Sequence, residues 1–513
     1  MSQRKKPVKV LLITPFGYQN AGVRLLSAVL REQGFDAPIL FFKGWRNNDV
    51  RLPTEHEYRL LQGHVSLLRP DIIGVGFGTP YLALVRQMTR RLRAVSEAHI
   101  VWGGVHPTIV PEDCIEHADS VCIGEGEGPM VDLARAVEAG EAADGIENLW
   151  VRTRDGEIVK NPLRPLIQDL DGLPHQELTT AEMTVIDGGR LTTGDPNQDN
   201  VLYRVFASRG CPFRCSYCYN SQFREIFDGC GRYHRQRTVQ NVMAELEAAQ
   251  ANLPQLRRIR FDDDSFVFPR AWIDELAEEY PRRIGLPFDI LLNPMVAKRW
   301  MLEALRRAGL VHVQVGIQSG SASERQEHYG RQETGEQILE LAHDLRELGI
   351  DVTYDIILDN PLASAEDHQG MLDLLLQLPR PFNLFLYSLV VFPRSEIAEK
   401  LLAAGLISED QVEGKGTKSF SQFRLSLDWP RPPAETLHAS CVSLASKGFV
   451  PRELIRALSR SELLARHPGP VRVVAEAANA VKLGQVALRM LGRGELSLFK
   501  IKEYAAYRRR LIQ

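Results

Sequence analysis

Twice along this chain, short apolar runs alternate with amphipathic helical stretches, and that rhythm limits the fold more than any other feature. The first series starts with VKVLLIT at 8–14, a helical stretch at 21–33 and APILFF at 37–42. DIIGVGF at 71–77 follows, then the amphipathic LALVRQMTRRLRAV, HIVWGG at 99–104 and SVCIGEGEGP at 120–129. Runs without a polar alternation are strands buried on both faces, and helices between them make the sheet parallel. Residues 1–140 are therefore expected to form an α/β domain with a doubly wound, Rossmann-like parallel sheet. The apolar runs end in glycines, at the carboxyl ends where such sheets bind ligands.

Residues 141–200 change character. NLWVRTRDGEIVKNP reads as a hairpin around Asp155-Gly156, and the segment through Pro174 and the Gly/Asp-rich 187–200 read as linker, so 141–200 is expected to be a linker with a hairpin. The second series has strands expected at 201–207, 257–262, 287–292, 311–317, 351–358 and 383–391. Six βα units are too few for a closed eight-stranded barrel, so 201–400 is expected to be a partial (β/α)6 TIM-type barrel. Residues 401–513 read as a helical C-terminal region over the barrel mouth, ending in a basic amphipathic stretch, LFKIKEYAAYRRRLIQ. Phe382, Phe385, Tyr387 and Phe392, around the last strand, suit either a substrate wall or core packing.

Composition serves mainly to exclude. A formal net charge of −3 gives no reason to expect nucleic acid as a partner. No apolar run reaches the length of a membrane span, and the start of the chain lacks a signal-peptide cleavage pattern. Seven cysteines, three of them bunched, do not make a disulfide framework and point to a reducing cytoplasm.

The bunched cysteines are Cys211, Cys215 and Cys218 in RGCPFRCSYCYN, directly after the first strand of the second series. Three thiolates can hold three irons of a four-iron cluster and leave the fourth open. The alternative is a zinc site completed by Cys230 or His234. Cys114, Cys122 and Cys441 read as small buried apolar residues, and Cys230 as a free thiol if the cluster forms.

CPFRCSYC resembles the signature of radical S-adenosylmethionine (SAM) enzymes. The resemblance implies a 4Fe–4S cluster on Cys211, Cys215 and Cys218, with SAM on the open iron as the source of a 5′-deoxyadenosyl radical. Further motifs match in order: IRFDDDSF (259–266), VQVGIQSGS (313–321), HYGRQETGEQI (328–338) and TYDIILDNP (353–361). They imply SAM contacts by Tyr217, Asp263, Gln318, Ser319, Arg331 and Asp355, with Asn293 as the polar residue of the third strand. Capping of the next helix is the competing role for any one of Asp262, Asp263 and Asp264. An external one-electron reductant, of flavodoxin or ferredoxin type, is implied too.

VLLITPFG, PDIIGVGFGTPY, VWGGVHPT and DSVCIGEGEGP resemble the cobalamin-binding domain that precedes such barrels. The resemblance implies cobalamin contacts at Thr79, Gly103, Gly104, Gly124 and Glu125. The first βα loop, PFGYQNAG, has no histidine, so no cobalt ligand is expected from it; His106 reads as part of a turn. GEGEGP is not a phosphate loop, since its acids would repel phosphate, and it reads as a wall of the corrin site or a domain contact. The family then implies a small-molecule C-methyltransferase acting through methylcobalamin on an unactivated carbon. The alternatives are oxidative cyclisation or rearrangement without methyl transfer, and a sensor without turnover.

Overall fold

In the first strand of the chain, β1 (Val10–Pro15), every residue is buried, as a strand covered on both faces requires. The computed structural model describes residues 7–44, 52–178, 182–198, 200–412 and 431–492. The first sheet continues with β2 (Ile39–Phe42), β3 (Ile72–Gly76), β4 (His99–Gly103) and β5 (Ser120–Cys122). The hairpin β6 (Leu149–Arg152) and β7 (Ile158–Lys160) extends one side, and β8 (Met183–Asp187) with β9 (Arg190–Thr193) extends the other. The order is β7-β6-β5-β4-β3-β1-β2-β8-β9, parallel from β5 through β8, with antiparallel hairpins at both edges. Two separate apolar clusters cover the faces, one around Trp102 and Phe42, the other around Phe41 and Leu133. β1 has β2 on one side and β3 on the other, so the strand order reverses there, which is where ligands enter such sheets.

Residues 183–193 thus belong to the first sheet, although the sequence reading passes over β8 and places 187–200 in a linker. β9 is exposed at all four residues and has no apolar alternation to betray it. β8 becomes recognisable as a strand only through its parallel register with β2.

The second sheet runs β10 (Leu202–Val205), then, beyond the short antiparallel pair β11 (Ser208–Arg209) and β12 (Arg235–Gln236), β13 (Arg258–Phe261), β14 (Phe288–Leu292), β15 (Leu310–Gln318), β16 (Asp351–Leu358) and β17 (Asn383–Ser388). Its strands pair in that order, all parallel, and β10 does not pair with β17. The expected partial barrel of six strands is present. Outward residues such as Ile259, Phe261, Val313, Val315, Tyr354 and Ile356 join the helices in one apolar core. Inward positions are polar instead. Arg204 and Arg260 both bond Asp262, Arg260 also bonds Gln314 at 2.6 Å, and Gln314 bonds Asp355 at 2.7 Å.

Beyond the barrel the described residues are helical, but they do not all lie over its mouth. Ile397 N donates to Ser216 O at 3.2 Å, beside the cysteine loop. The helix Pro433–Ala445 instead packs on Ala365–Gln377, a helix of the barrel's outer layer, and Gly469–Gly492 packs on Pro433–Ala445 in turn. Phe382 is buried against Tyr354, in the core reading of the two offered for it. The amphipathic stretch 498–513 lies outside the described residues.

Candidate active site

The cysteines sit between β11 and the helix Tyr219–Ile226, at the carboxyl end of β10. Gly210 has φ +77°, and a Cβ there would lie 2.4 Å from Tyr233 O, so the turn into Cys211 requires glycine. Ser216 N donates to Tyr329 O at 3.1 Å, which docks the loop on the segment carrying Arg331. Burial, with Asp264 and the neighbouring cysteines adding to it, pushes the Cys211 thiol up to about 11 and the Cys218 thiol up to about 12. Thiolates gathered in so unfavourable a place need cations among them, which iron supplies.

A zinc site would draw its ligands into one tight set. A tetrahedral zinc with bonds of about 2.3 Å holds its sulfurs about 3.8 Å apart. Among the described residues, only His106, Asp113 and Cys114 bring three such donor atoms within 4.8 Å of one another. The three loop cysteines are spread wider, and neither Cys230 nor His234 closes a tight set with them. Cys230 packs with Ile123, Leu166 and Phe227 instead. The loop fits a multi-iron core. In the His106 group, Asp113 is already engaged by Arg86 at 2.5 Å.

The residues expected around SAM divide into two sets. Tyr217, Gln318, Arg331 and Asp355 gather beside the loop. Arg331 Nη1 lies 3.8 Å from Cys215 Sγ and donates to Tyr217 OH at 3.2 Å, Nη2 donates to Gly316 O at 2.5 Å, and Nε is held by Glu333. A Cβ on Gly316 would lie 2.8 Å from the Gln318 amide nitrogen, and Asp355 is the register partner of Gly316. Gln318 adopts φ +59° at a break in the β15–β16 register, a conformation costing roughly 1–2 kcal/mol for a residue with a side chain.

The second set is occupied by protein contacts. Asp263 Oδ1 accepts from Ser208 N at 2.6 Å and from Ser208 Oγ at 2.5 Å, pinning the start of the loop. Burial raises this carboxyl to about 7, despite those hydrogen bonds, with Asp264 and Asp262 adding to the effect. Asn293 Oδ1 caps Pro294–Val296 through Met295 N at 2.9 Å. Ser319 is fully buried and donates to Glu324 at 2.6 Å. Glu324 also accepts from Tyr329 and Asn360, a network that no sequence motif announced.

Between the two sheets lies a cavity of about 700 Å³. Thr14, Gly76, Gly103, Gly104 and Gly124 line it from the first sheet; Tyr219, Asn220 and Phe223 line it from the helix after the cysteines. The glycines differ in what demands them. Gly104 (φ +98°) would set a Cβ 2.8 Å from Phe77 O, and Gly124 (φ +80°) would drive one into Phe227. Gly76, Gly78 and Gly103 have ordinary φ, and a Cβ at each would find nothing closer than 3.6 Å. The protein itself does not forbid side chains at these three positions. Their bareness keeps the floor open for a ligand, as the broad face of a corrin requires.

Thr79 lies away from this lining, buried, with His106 Nδ1 on its hydroxyl at 3.1 Å. Burial lowers the His106 imidazole to about 4. Glu125 lines the cavity and also ties the domains together. It pairs with Arg209 at 2.7 Å and Arg235 at 2.9 Å, and accepts from Ile167 N at 2.8 Å. Arg209 reaches Glu127 as well, so the acids of GEGEGP grip the residue two before Cys211.

Comparison with known proteins agrees with this division. The B12 binding domain family matches residues 9–134, and the radical SAM superfamily matches residues 205–375. The anaerobic magnesium-protoporphyrin IX monomethyl ester cyclase of Rubrivivax gelatinosus is 26% identical over 266 residues, 50% of this chain and 45% of that protein. An uncharacterized methyltransferase of Pyrococcus horikoshii, PH0819, is 24% identical over 422 residues, 78% of this chain and 85% of that protein. The chain thus matches less than half of the cyclase's length but most of the methyltransferase's. Among solved structures, the radical SAM methyltransferase TsrM from Kitasatospora setae, with cobalamin and a [4Fe-4S] cluster bound, superposes with a TM-score of 0.62 at 18% identity. That likeness of fold covers 92% of this chain and 100% of TsrM.

Proposed function

We propose that the chain is a cobalamin-dependent radical SAM enzyme, with a 4Fe–4S cluster, SAM and cobalamin as cofactors, and that it transfers a methyl group to an unactivated carbon of a small molecule. One observation carries this reading: the bare glycine floor and the two ends of the cysteine loop, Gly210 and Tyr219, line a single cavity of about 700 Å³. A reaction that takes hydrogen from a carbon on one side and delivers a methyl group from the other needs that arrangement. When bound, the cluster with SAM supplies hydrogen abstraction, and cobalamin supplies the methyl group.

The protein's own groups then have separate tasks. Cys211, Cys215 and Cys218 hold the cluster. Arg331, fixed by Glu333 and Gly316, offers the SAM carboxylate a preoriented cation; Asp355 and Gln318 offer polar edges to the ribose and the amino acid end. Gly76, Gly78 and Gly103 admit the corrin face. Tyr219, Phe223 and Phe227 wall the cavity and keep water from the reacting carbon. Inward-facing Phe385 and Tyr387, half-buried on β17, suit an apolar substrate edge. A flavodoxin- or ferredoxin-type donor supplies the electron, in a reducing cytoplasm that spares the thiols.

SAM labelled in its methyl group tests the reading. Under anaerobic reduction with a candidate substrate, label appears in the product together with 5′-deoxyadenosine. 5′-Deoxyadenosine with an unlabelled, oxidised product would establish cyclisation instead, the activity that the Rubrivivax protein's name gives.

A further inference from the structure

Helix Gly469–Gly492 has two apolar faces, and only one of them is used. Val471, Ala475 and Ala478 are buried in the barrel core against the helix Pro433–Ala445. Around the opposite side, Val473, Val474, Val481, Leu488 and Leu491 are each more than half exposed. At 100° per residue, an arc of about 140° from Ala487 to Val474 contains no charged or polar residue, the rest of it being alanines, glycines and Pro470. A water-soluble helix ordinarily places charge there. The next described segment contributes too, with Leu463 69% exposed on the helix Glu462–Arg466, between exposed Arg460 and Arg466.

Charge points to what covers this face. Residues 451–513 contain 13 Lys and Arg against five acids, a net +8, while the rest of the chain carries −11. The 21 residues after Gly492 include Arg493, Lys500, Lys502 and Arg508–Arg510. Within the described part of this region, Arg472–Glu476 and Arg456–Glu453 are ion pairs, and the surplus is cationic. An apolar face bordered by cations matches a lipid surface, which offers apolar depth and anionic headgroups together. A nucleic acid would use the cations and leave the valines and leucines wet.

We infer that residues 451–492 form a docking surface for an anionic membrane. None of the residues lining the cavity belongs to this region, so docking here leaves the cavity free for cofactors. This goes beyond the proposed reaction and does not depend on it.

The test uses the full chain, sedimented with vesicles of phosphatidylcholine alone or mixed with phosphatidylglycerol. The expected result is at least tenfold stronger association with the anionic vesicles, reduced about tenfold by 0.5 M salt. The double substitution Val481→Asp and Leu488→Asp, at two exposed positions, abolishes association with unchanged circular dichroism. Leu67→Asp, at a still more exposed leucine on the first domain, leaves it intact. Equal binding to both vesicle types, or none, overturns the proposal. So does a concentration-dependent dimer that the double substitution dissolves in the absence of vesicle binding, which would assign the face to a second copy. Retention by duplex DNA without lipid association would overturn it in favour of nucleic acid.

Discussion

The two parallel sheets of this chain repeat one βα unit and end it in opposite ways. The first closes its strands on glycines, and the site proposed there is made by withholding side chains: Gly76, Gly78 and Gly103 could each accept a Cβ without a protein clash. The second closes its strands on side chains, and the site proposed there is made by supplying them: three thiols, Arg331, Gln318 and Asp355. A corrin presents a wide face that needs room. SAM and an iron cluster present charges and open valences that need partners. One backbone plan serves both because the carboxyl ends of parallel strands carry loops that can be changed without disturbing the core.

The contrast can be broken from either side. The largest effect is expected from Cys211→Ala, Cys215→Ala or Cys218→Ala, each lowering anaerobic SAM cleavage below detection and removing most of the iron, while cobalamin retention survives. Gly103→Leu is expected to do the reverse: cobalamin retention falls at least tenfold, and iron content and 5′-deoxyadenosine formation persist. Should Gly103→Leu also lose its iron, the two halves would not be separable in this way. Arg331→Lys keeps the charge but loses the fork held by Glu333 and Gly316. A KM for SAM about tenfold higher, with unchanged iron content, is the expected reading.

Smaller effects should come from the join between the sheets. Glu125→Gln weakens the grip on Arg209 and Arg235. It is expected to raise the ratio of 5′-deoxyadenosine to methylated product a few-fold, because the two faces then hold the substrate less firmly between them. Asp263 adds a pH effect on stability. Its carboxyl is raised from 3.8 to about 7 by burial, so the folded state binds the extra proton and stability falls as pH rises from about 4 through 7. Denaturant unfolding should show lower stability at pH 8 than at pH 5, by on the order of 1 kcal/mol or more, and Asp263→Asn should flatten that difference.

The central strands of the first sheet were legible because they are apolar runs, and the cysteine loop was legible because its spacing is chemistry. Other parts could not be read that way. β9 is exposed at every residue, so only its pairing with β8 reveals it. Asn293 stands before a proline, where a cap and a ligand contact look identical in sequence; its Oδ1 is used by Met295 N. The part Glu125 plays in joining the domains depends on Arg209, 84 residues away, and no local pattern encodes that pairing. Glu333 lies only two residues from Arg331 but acts through a buried contact that spacing does not disclose.

The central claim is that both sheets aim their carboxyl ends at one shared space. Electron paramagnetic resonance on the fully loaded, full-length chain tests it most directly, with cobalt(II) and the reduced cluster as the two spins. The account predicts that reducing the cluster broadens and shortens the relaxation of the cobalt signal, and that Cys215→Ala restores the isolated cobalt spectrum. Two spectra that add without any mutual perturbation would place the centres in separate sites and contradict it.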